Sequence, residues 1–472
     1  MCGQGETLLT SGVSWDQEVD VLVVGAGGCG LVAAIAAHDA GVAKVAVVEK
    51  SARLSGDTTV STGSVAAAGT RFQREAGIED SAELMLEDFM TLTGPHEMTD
   101  LCRVLVQESA GLVEWLVDEV GARLAIVTDY RHVGHSVPRL HGPRSRRGQD
   151  LVDDLTGAVE KRGIPIALAN PVRDLVVDDA GAVIGAVVEG DRTLETRIGA
   201  RKLILATNGF GANPAMVRTY CPEIAGSRYF GGEGSTGEAV LWGRRVGAAL
   251  ANMAAYLGYA VVAYPHGSLL SWTTIEKGGV IVNAGGERFG DESVGYSGFA
   301  GKVMRQPAPT FAIFDERIRE IAAREEEFRT LLEMGGARSA TSVTALAAAA
   351  GLAGHRLDAA LTAYNEAARA HTPDPFGRSS FGLAPLEPPY FSCRVVPGLF
   401  NTQGGLKIDT AGRVLRADGR AIPNLLAGGG AAAGIAGHAG GAGYASGSGL
   451  LAALGVGRLA GRTAAREIQG GV

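Results

Sequence analysis

The sequence predicts an α/β protein, a doubly wound domain interrupted by an inserted α+β domain. Three observations carry this reading. Near the N-terminus a strand, a glycine loop, a helix, a second strand and an acid follow one another within about 30 residues. A further buried strand follows at Lys202-Leu203-Ile204-Leu205-Ala206. At residues 255–392 tyrosines, a tryptophan and charged helical stretches replace that pattern, before strand and glycine-loop sequence returns. The expected division is therefore 1–254 and 393–472 for the two parts of the outer domain, with 255–392 as an inserted catalytic or capping domain.

The elements follow in order. Val19, Asp20, Val21, Leu22, Val23 and Val24 form a buried strand rich in β-branched residues. Gly25-Ala26-Gly27-Gly28-Cys29-Gly30 leads into an Ala-rich helix, Leu31 to Ala40, and Val45-Ala46-Val47-Val48 is a second strand ending at Glu49. Residues 81–120 read as helical, and 172–201 as a hairpin around Asp178-Asp179-Ala180-Gly181. Helices are expected at 319–329, 340–353 and 356–370, and a last one from Gly449 to Arg466.

Composition narrows the function. Of 472 residues, 69 are glycine, about twice the usual share, which fits tight turns and close backbone approach to a large ligand. With 46% hydrophobic and 20% charged residues the chain is not disordered, and its net charge of −8 makes nucleic acid a poor partner. The five cysteines (Cys2, Cys29, Cys102, Cys221, Cys393) are scattered, with no metal, haem or iron–sulfur spacing; no metal is expected and a reducing compartment fits. No signal sequence precedes the first strand and no apolar run is long enough for a membrane span, so the sequence reads as cytoplasmic.

The Gly25 loop has the context that a bare G-x-G-x-x-G lacks. Gly25 permits the turn, Gly27 lets the backbone approach a pyrophosphate, and Gly30 lets helix and strand pack closely. The helix N-terminus behind it offers N–H groups to phosphates, and Glu49 can accept hydrogen bonds from a ribose. A second match, Gly232-Glu233-Gly234-Ser235-Thr236-Gly237, follows no strand and has no paired acid, so it carries little weight as a phosphate site. Downstream, Ser55-Gly56-Asp57-Thr58-Thr59-Val60-Ser61-Thr62-Gly63-Ser64 supplies small hydroxyl residues that can lie along a flavin edge. NAD would need no such segment, so a Rossmann-like FAD-binding domain is expected.

Several blocks in order resemble the flavoprotein family of fumarate reductase, succinate dehydrogenase and 3-ketosteroid dehydrogenases. They are Val21 to Gly30, Glu49-Lys50, Leu205 to Gly211, Gly286-Glu287-Arg288-Phe289 with Glu292, Thr402 to Asp409, Ile422 to Gly429, and Gly457 to Gly461. The resemblance implies FAD held by Gly25, Gly27, Gly28, Gly30, Glu49 and Lys50. It adds Gly56, Asp57, Thr58, Thr59, Thr62 and Gly63 from the hydroxyl segment, Thr207, Asn208 and Gly209 from the next loop, and Gly429, Ser448 and Leu450 near the last helix. Asn208 stands where the family usually has Gly, Gly430 where many members have Glu, and Gln403 where fumarate reductases tend to carry Met. No histidine lies within 58–64, so the flavin is expected to be non-covalent.

By the family's spacing, the positions of three charged dicarboxylate contacts in fumarate reductases hold Tyr296, Tyr444 and Asn401 here. A buried dianion without guanidinium partners is costly, so fumarate is not the expected substrate. Tyr296 and Tyr444-Ala445-Ser446-Gly447 instead resemble active-site segments of 3-ketosteroid dehydrogenases, the Tyr-x-Ser-Gly form being most similar to the Δ4-(5α) type. The resemblance implies Tyr296 as base for an α-proton, Tyr444 as polariser of the ketone, Ser446 orienting or relaying, and hydride transfer to flavin N5; the two tyrosine roles are exchangeable.

The expected activity is α,β-desaturation of a saturated cyclic ketone, a 3-ketosteroid or a smaller cyclohexanone-like compound such as a 4-oxocyclohexanecarboxylate. The alternative is an enoate reductase acting on a non-dicarboxylate. A flavin-carrying electron-transfer protein without chemistry of its own is disfavoured by the lack of haem and iron–sulfur motifs. The electron acceptor (quinone, dye-like acceptor or O2) is open, and NAD(P)H is not expected as a direct partner, since no second well-placed loop exists. The segment from Gly134 through His135, Arg139 and His141 to Arg147 reads more readily as a solvated loop than as a pocket wall, and His266 and His438 as structural.

Overall fold

The computed structural model describes residues 14–128, 132–190 and 195–471. Cys2 and residues 1–13 of the N-terminal stretch read for a signal sequence lie outside them. The outer domain is an eight-stranded sheet whose centre is parallel. Strands Ala421–Ala427, Glu195–Leu205, Gln17–Val24, Val45–Val48 and Ile166–Ala167 lie side by side in that order. Arg413–Leu415 adds an antiparallel edge, and the hairpin Val172–Val177 and Val183–Glu189 extends from Glu195–Leu205. Val21, Leu22 and Val23 have no solvent exposure, which explains their unbroken apolar run.

Helix Gly28–Asp39 packs on the last helix, Ser448–Gln469. Small residues make this possible: a Cβ on Gly457 would lie 2.5 Å from the Cys29 carbonyl oxygen, and one on Gly461 2.3 Å from that of Ala33. Gly30 serves the same end, since its Cβ would lie 1.9 Å from the Gly25 oxygen. The two helices thereby fix the glycine loop between them.

The second sheet is largely antiparallel, with Val280–Val282, Thr310–Asp315, Tyr390–Thr402 and Ala254–Ala263 in that order. Helices Glu316–Ala322, Glu326–Glu333, Val343–Ala350 and Gly354–Ala370 accompany it. The charged stretch expected as one helix at 319–329 is broken between Ala322 and Glu326. This unit has its own core, which draws on Phe210, Met216, Ile224 and Val240 before Tyr256 and reaches Leu399. Ala239, Trp242, Val246 and Ala251 of the same stretch pack instead into the core of the outer sheet, so residues 210–254 contribute to both cores, and we propose 255–392 as the inserted unit proper.

The Gly-x-Arg-Phe block acts within this unit. Arg288 is buried and pairs with Glu292, Nη2 to Oε2 at 2.6 Å, and with Asp374, while Arg378 reaches the same Glu292 oxygen at 3.1 Å. Glu292 Oε1 also accepts the Ile281 N–H at 3.1 Å. This network anchors the turn that opens helix Gly295–Met304, on which Tyr296 sits.

Candidate active site

One cavity of about 530 Å³ runs from the glycine loop to the inserted unit. At its outer-domain end Gly25 turns with φ +103°, and a Cβ on Gly27 would meet nothing within 4 Å, so backbone is open to a ligand there. The helix that starts at Gly28 has no side-chain cap, although the Gly28 N–H donates to Thr58 Oγ1 at 3.3 Å. Its first-turn N–H groups suit an anion. Glu49 lies on the wall with its carboxylate tied to the N–H groups of Ala26 and Ser51, each at 2.9 Å. Thr207 Oγ1 is buried at the wall without a hydrogen-bond partner, as a polar atom awaiting a ligand would be.

Gly56, Asp57, Thr58, Thr62, Asn208, Gly429 and Leu450 also line the cavity. Lys50 lines it while its ammonium pairs with Glu238 and Thr236. Asp57 accepts the Gly232 N–H at 2.6 Å, and burial raises its carboxyl above the usual range. The Gly232–Gly237 loop, given little weight from sequence, is therefore part of the wall, through Gly232, Gly234 and Ser235. Five of the expected cofactor residues are not on the wall and act on its shape instead. Gly30 packs helix to strand, and Gly63 turns with φ +69° against Pro143 and Gly148. Gly209 leaves room for the Thr402 hydroxyl, and Ser448 bonds the Ala445 carbonyl at 2.7 Å. Thr59 only continues the short helix Asp57–Val60.

Two departures from the family pattern have local reasons. Asn208 takes φ +63°, the left-handed conformation glycine usually supplies and asparagine tolerates. Gly430 has no room for a side chain, since its Cβ would lie 2.5 Å from Asn208 Oδ1 and 2.6 Å from the Gly209 nitrogen.

At the far end Tyr296, Tyr444, Ser446 and Asn401 come together on the same wall. Tyr296 Oη lies 3.0 Å from Ser446 Oγ. Tyr444 is buried, and its hydroxyl sits at the start of the last helix, beside the Gly449 N–H and the Ser448 hydroxyl. Burial, reinforced by Tyr296, pushes its phenol well above the ordinary value, so it stays protonated and can donate. Gln403 Nε2 donates to Asn401 Oδ1 at 2.7 Å, which fixes that amide.

Sequence reasoning missed the aromatic surroundings. Tyr259, Trp272, Phe230 and Phe400 also line this end, with ring centres of Tyr259 and Tyr296 5.3 Å apart and those of Trp272 and Tyr296 6.0 Å apart. The one signal was the cluster of tyrosines and tryptophan among glycines at 255–300.

The 134–147 segment is not the solvated loop expected. His135, Arg139 and His141 are buried, while Arg144 and Arg147 are exposed. Charge pairing explains the burial: Arg139 meets Asp80 at 2.8 Å and also Asp88. His132 and Arg146 line the cavity. Burial holds His132 at a pKa of about 3 and His135 and His141 at about 4, against about 6.5 when unfolded. Below pH 6.5 the unfolded chain binds protons the folded chain does not, so stability falls with pH, by at most about 1.4 kcal/mol per unit for each histidine. Melting curves should show Tm dropping between pH 6.5 and 4.5, and His135→Gln should make the drop shallower; a flat Tm across that window contradicts the burial of neutral imidazoles.

Residues 20–449 match the FAD binding domain family, to which this chain belongs. It is an FAD-dependent oxidoreductase of the fumarate reductase kind, a class acting on CH–CH groups. It is 33% identical to the NADH:fumarate oxidoreductase of Klebsiella pneumoniae (strain 342) over 96% of this chain, and spans 48% of that protein's length. Among solved structures, the open conformation of a flavocytochrome c3 fumarate reductase matches with a TM-score of 0.79 and 30% identity, over 96% of this chain and 79% of that one. The 3-ketosteroid-Δ4-(5α)-dehydrogenase of Rhodococcus jostii RHA1, in complex with 4-androstene-3,17-dione, matches with a TM-score of 0.79 and 27% identity, over 97% of this chain and 100% of that one. Among the described residues no helix is long and apolar enough to cross a membrane.

Proposed function

We propose that the protein desaturates a saturated cyclic ketone, either a 3-ketosteroid or a smaller cyclohexanone-like compound, removing an α-proton and a β-hydride. The observation that carries this is the convergence of Tyr296, Ser446 and Tyr444 on one wall of the FAD cavity, with Tyr296 and Ser446 in hydrogen-bond contact at 3.0 Å. FAD supplies the hydride acceptor. Tyr444, kept neutral by burial, donates to the ketone oxygen and stabilises the enolate-like charge. Tyr296, as its phenolate, takes the α-proton to become the neutral phenol, and Ser446 passes the proton on. The rings of Tyr259, Trp272 and Phe400 give a saturated ring an apolar surface to lie against. The full-length match to a ketosteroid dehydrogenase supports the same reading.

The flavin is held without a covalent bond, since no histidine is present at 58–64. Acid precipitation should leave the yellow colour in the supernatant; colour retained in the pellet contradicts this.

A second reading is reduction of an enoate other than fumarate. It is favoured by Arg146 on the cavity wall and by 30% identity to a urocanate reductase of Eggerthella lenta. A panel of saturated cyclic ketones with a dye acceptor, run beside a panel of enoates with a reduced dye, separates the two. Turnover in the first panel alone supports desaturation, and turnover in the second alone supports the reductase.

A further inference from the structure

We propose that His135 is a positioning residue of this site, holding the backbone of Ser446 so that its hydroxyl meets Tyr296. The inference rests on the chemical roles proposed for Tyr296 and Ser446 and adds a residue that those roles do not themselves name. His135 is buried, with its ring edge-on to Phe89 at 5.7 Å. Its Nε2 lies 2.7 Å from the Ser446 carbonyl oxygen. The Ser446 N–H in turn donates to the Val133 carbonyl at 3.0 Å. One loop therefore holds both main-chain polar groups of Ser446, and the Ser446 hydroxyl faces Tyr296 at 3.0 Å.

The imidazole can donate from Nε2 in only one neutral tautomer. Its other nitrogen, Nδ1, faces Arg139 Nη1 at 3.4 Å, and a guanidinium has no acceptor. A hydrogen on Nδ1 would point at N–H groups, so Nδ1 carries the lone pair and Nε2 the hydrogen. Arg139 cannot turn away. It is fully buried, with Nε and Nη2 on the Asp80 carboxylate at 2.8 and 2.9 Å and Nη1 also on Asp88. Asp80, Arg139, His135 and Ser446 thus form a line in which each group orients the next, ending at the Tyr296 hydroxyl.

A base must lie within hydrogen-bond reach of its proton, and a misplacement of about 1 Å can cost about 10²-fold. His135→Phe keeps the ring against Phe89 but removes the donor. His135→Gln keeps an amide N–H at a similar reach. With a cyclic ketone and a dye acceptor, His135→Phe should lower kcat by about 10- to 100-fold with KM and FAD content nearly unchanged. His135→Gln should recover most of the rate. In a Tyr296→Phe background, His135→Phe should cost nothing further, because both act on one group. An equal loss in both backgrounds, or full activity in His135→Phe, overturns the proposal. Nitrogen NMR of the holoenzyme gives a reading free of substrate choice: the hydrogen should be on Nε2, and finding it on Nδ1 overturns the proposal. Absence of ketone turnover in the wild type would count against the proposed function, while the tautomer still decides the role of His135.

Discussion

Replacing Tyr296 with phenylalanine should lower kcat for ketone desaturation by about 10²- to 10⁴-fold, the range for loss of a general base. The change removes one oxygen and little else. The ring stays packed with Tyr259 and Trp272, at centre distances of 5.3 and 6.0 Å, so folding and FAD content should be preserved. The lost atom is the one that meets Ser446 Oγ. Because the hydroxyl acts on the proton and not on docking, KM should change far less than kcat. Steady-state rates with a dye acceptor, read beside the flavin absorbance of each preparation, check this. A Tyr296→Phe enzyme with the wild-type rate would move the base elsewhere.

Tyr444→Phe should lower kcat by about 10²- to 10³-fold, the usual loss for one donor to a developing oxyanion. Its direction follows from burial. The phenol is pushed well above its ordinary value, with Tyr296 adding to the effect, so at neutral pH it is a donor and a poor proton acceptor. This supports the donor role proposed for Tyr444, a role that the sequence left exchangeable with that of Tyr296. The sign for pH follows too. A raised folded-state value means the neutral form persists above pH 10, so Tyr444 should not impose a loss of rate as pH approaches 10. The cost of removing its hydroxyl should show as slower flavin reduction by ketone, measured anaerobically by stopped flow. Equal rates for wild type and Tyr444→Phe would remove Tyr444 from the carbonyl.

Parts of this site are legible in the chain because chemistry fixes their spacing. A turn that brings backbone to phosphates needs Gly25, Gly27 and Gly30 at set intervals, and these glycines lie where the pattern puts them. Tyr296 follows Arg288 at a fixed offset because the buried Arg288–Glu292 pair anchors the turn before its helix. The aromatic wall has no such rule. Tyr259 and Phe400 come from paired strands far apart in sequence, and only sheet register brings their ring centres within 5.6 Å. The burial of Arg139 was illegible for a related reason: its partners Asp80 and Asp88 precede it by 59 and 51 residues, and an unpaired arginine belongs in water. The same distance effect hid the packing of Phe210 and Val240 into a core built mostly after residue 255.

Anaerobic mixing of the oxidised enzyme with a saturated cyclic ketone, followed at the flavin absorbance band, probes the phenol-lined site most directly. The flavin of the wild type should bleach, that of Tyr296→Phe should remain oxidised on the same timescale, and the enone should accumulate in the first mixture alone. A wild-type flavin that stays yellow with every ketone, yet is reoxidised from its reduced form by an enoate, would contradict the account.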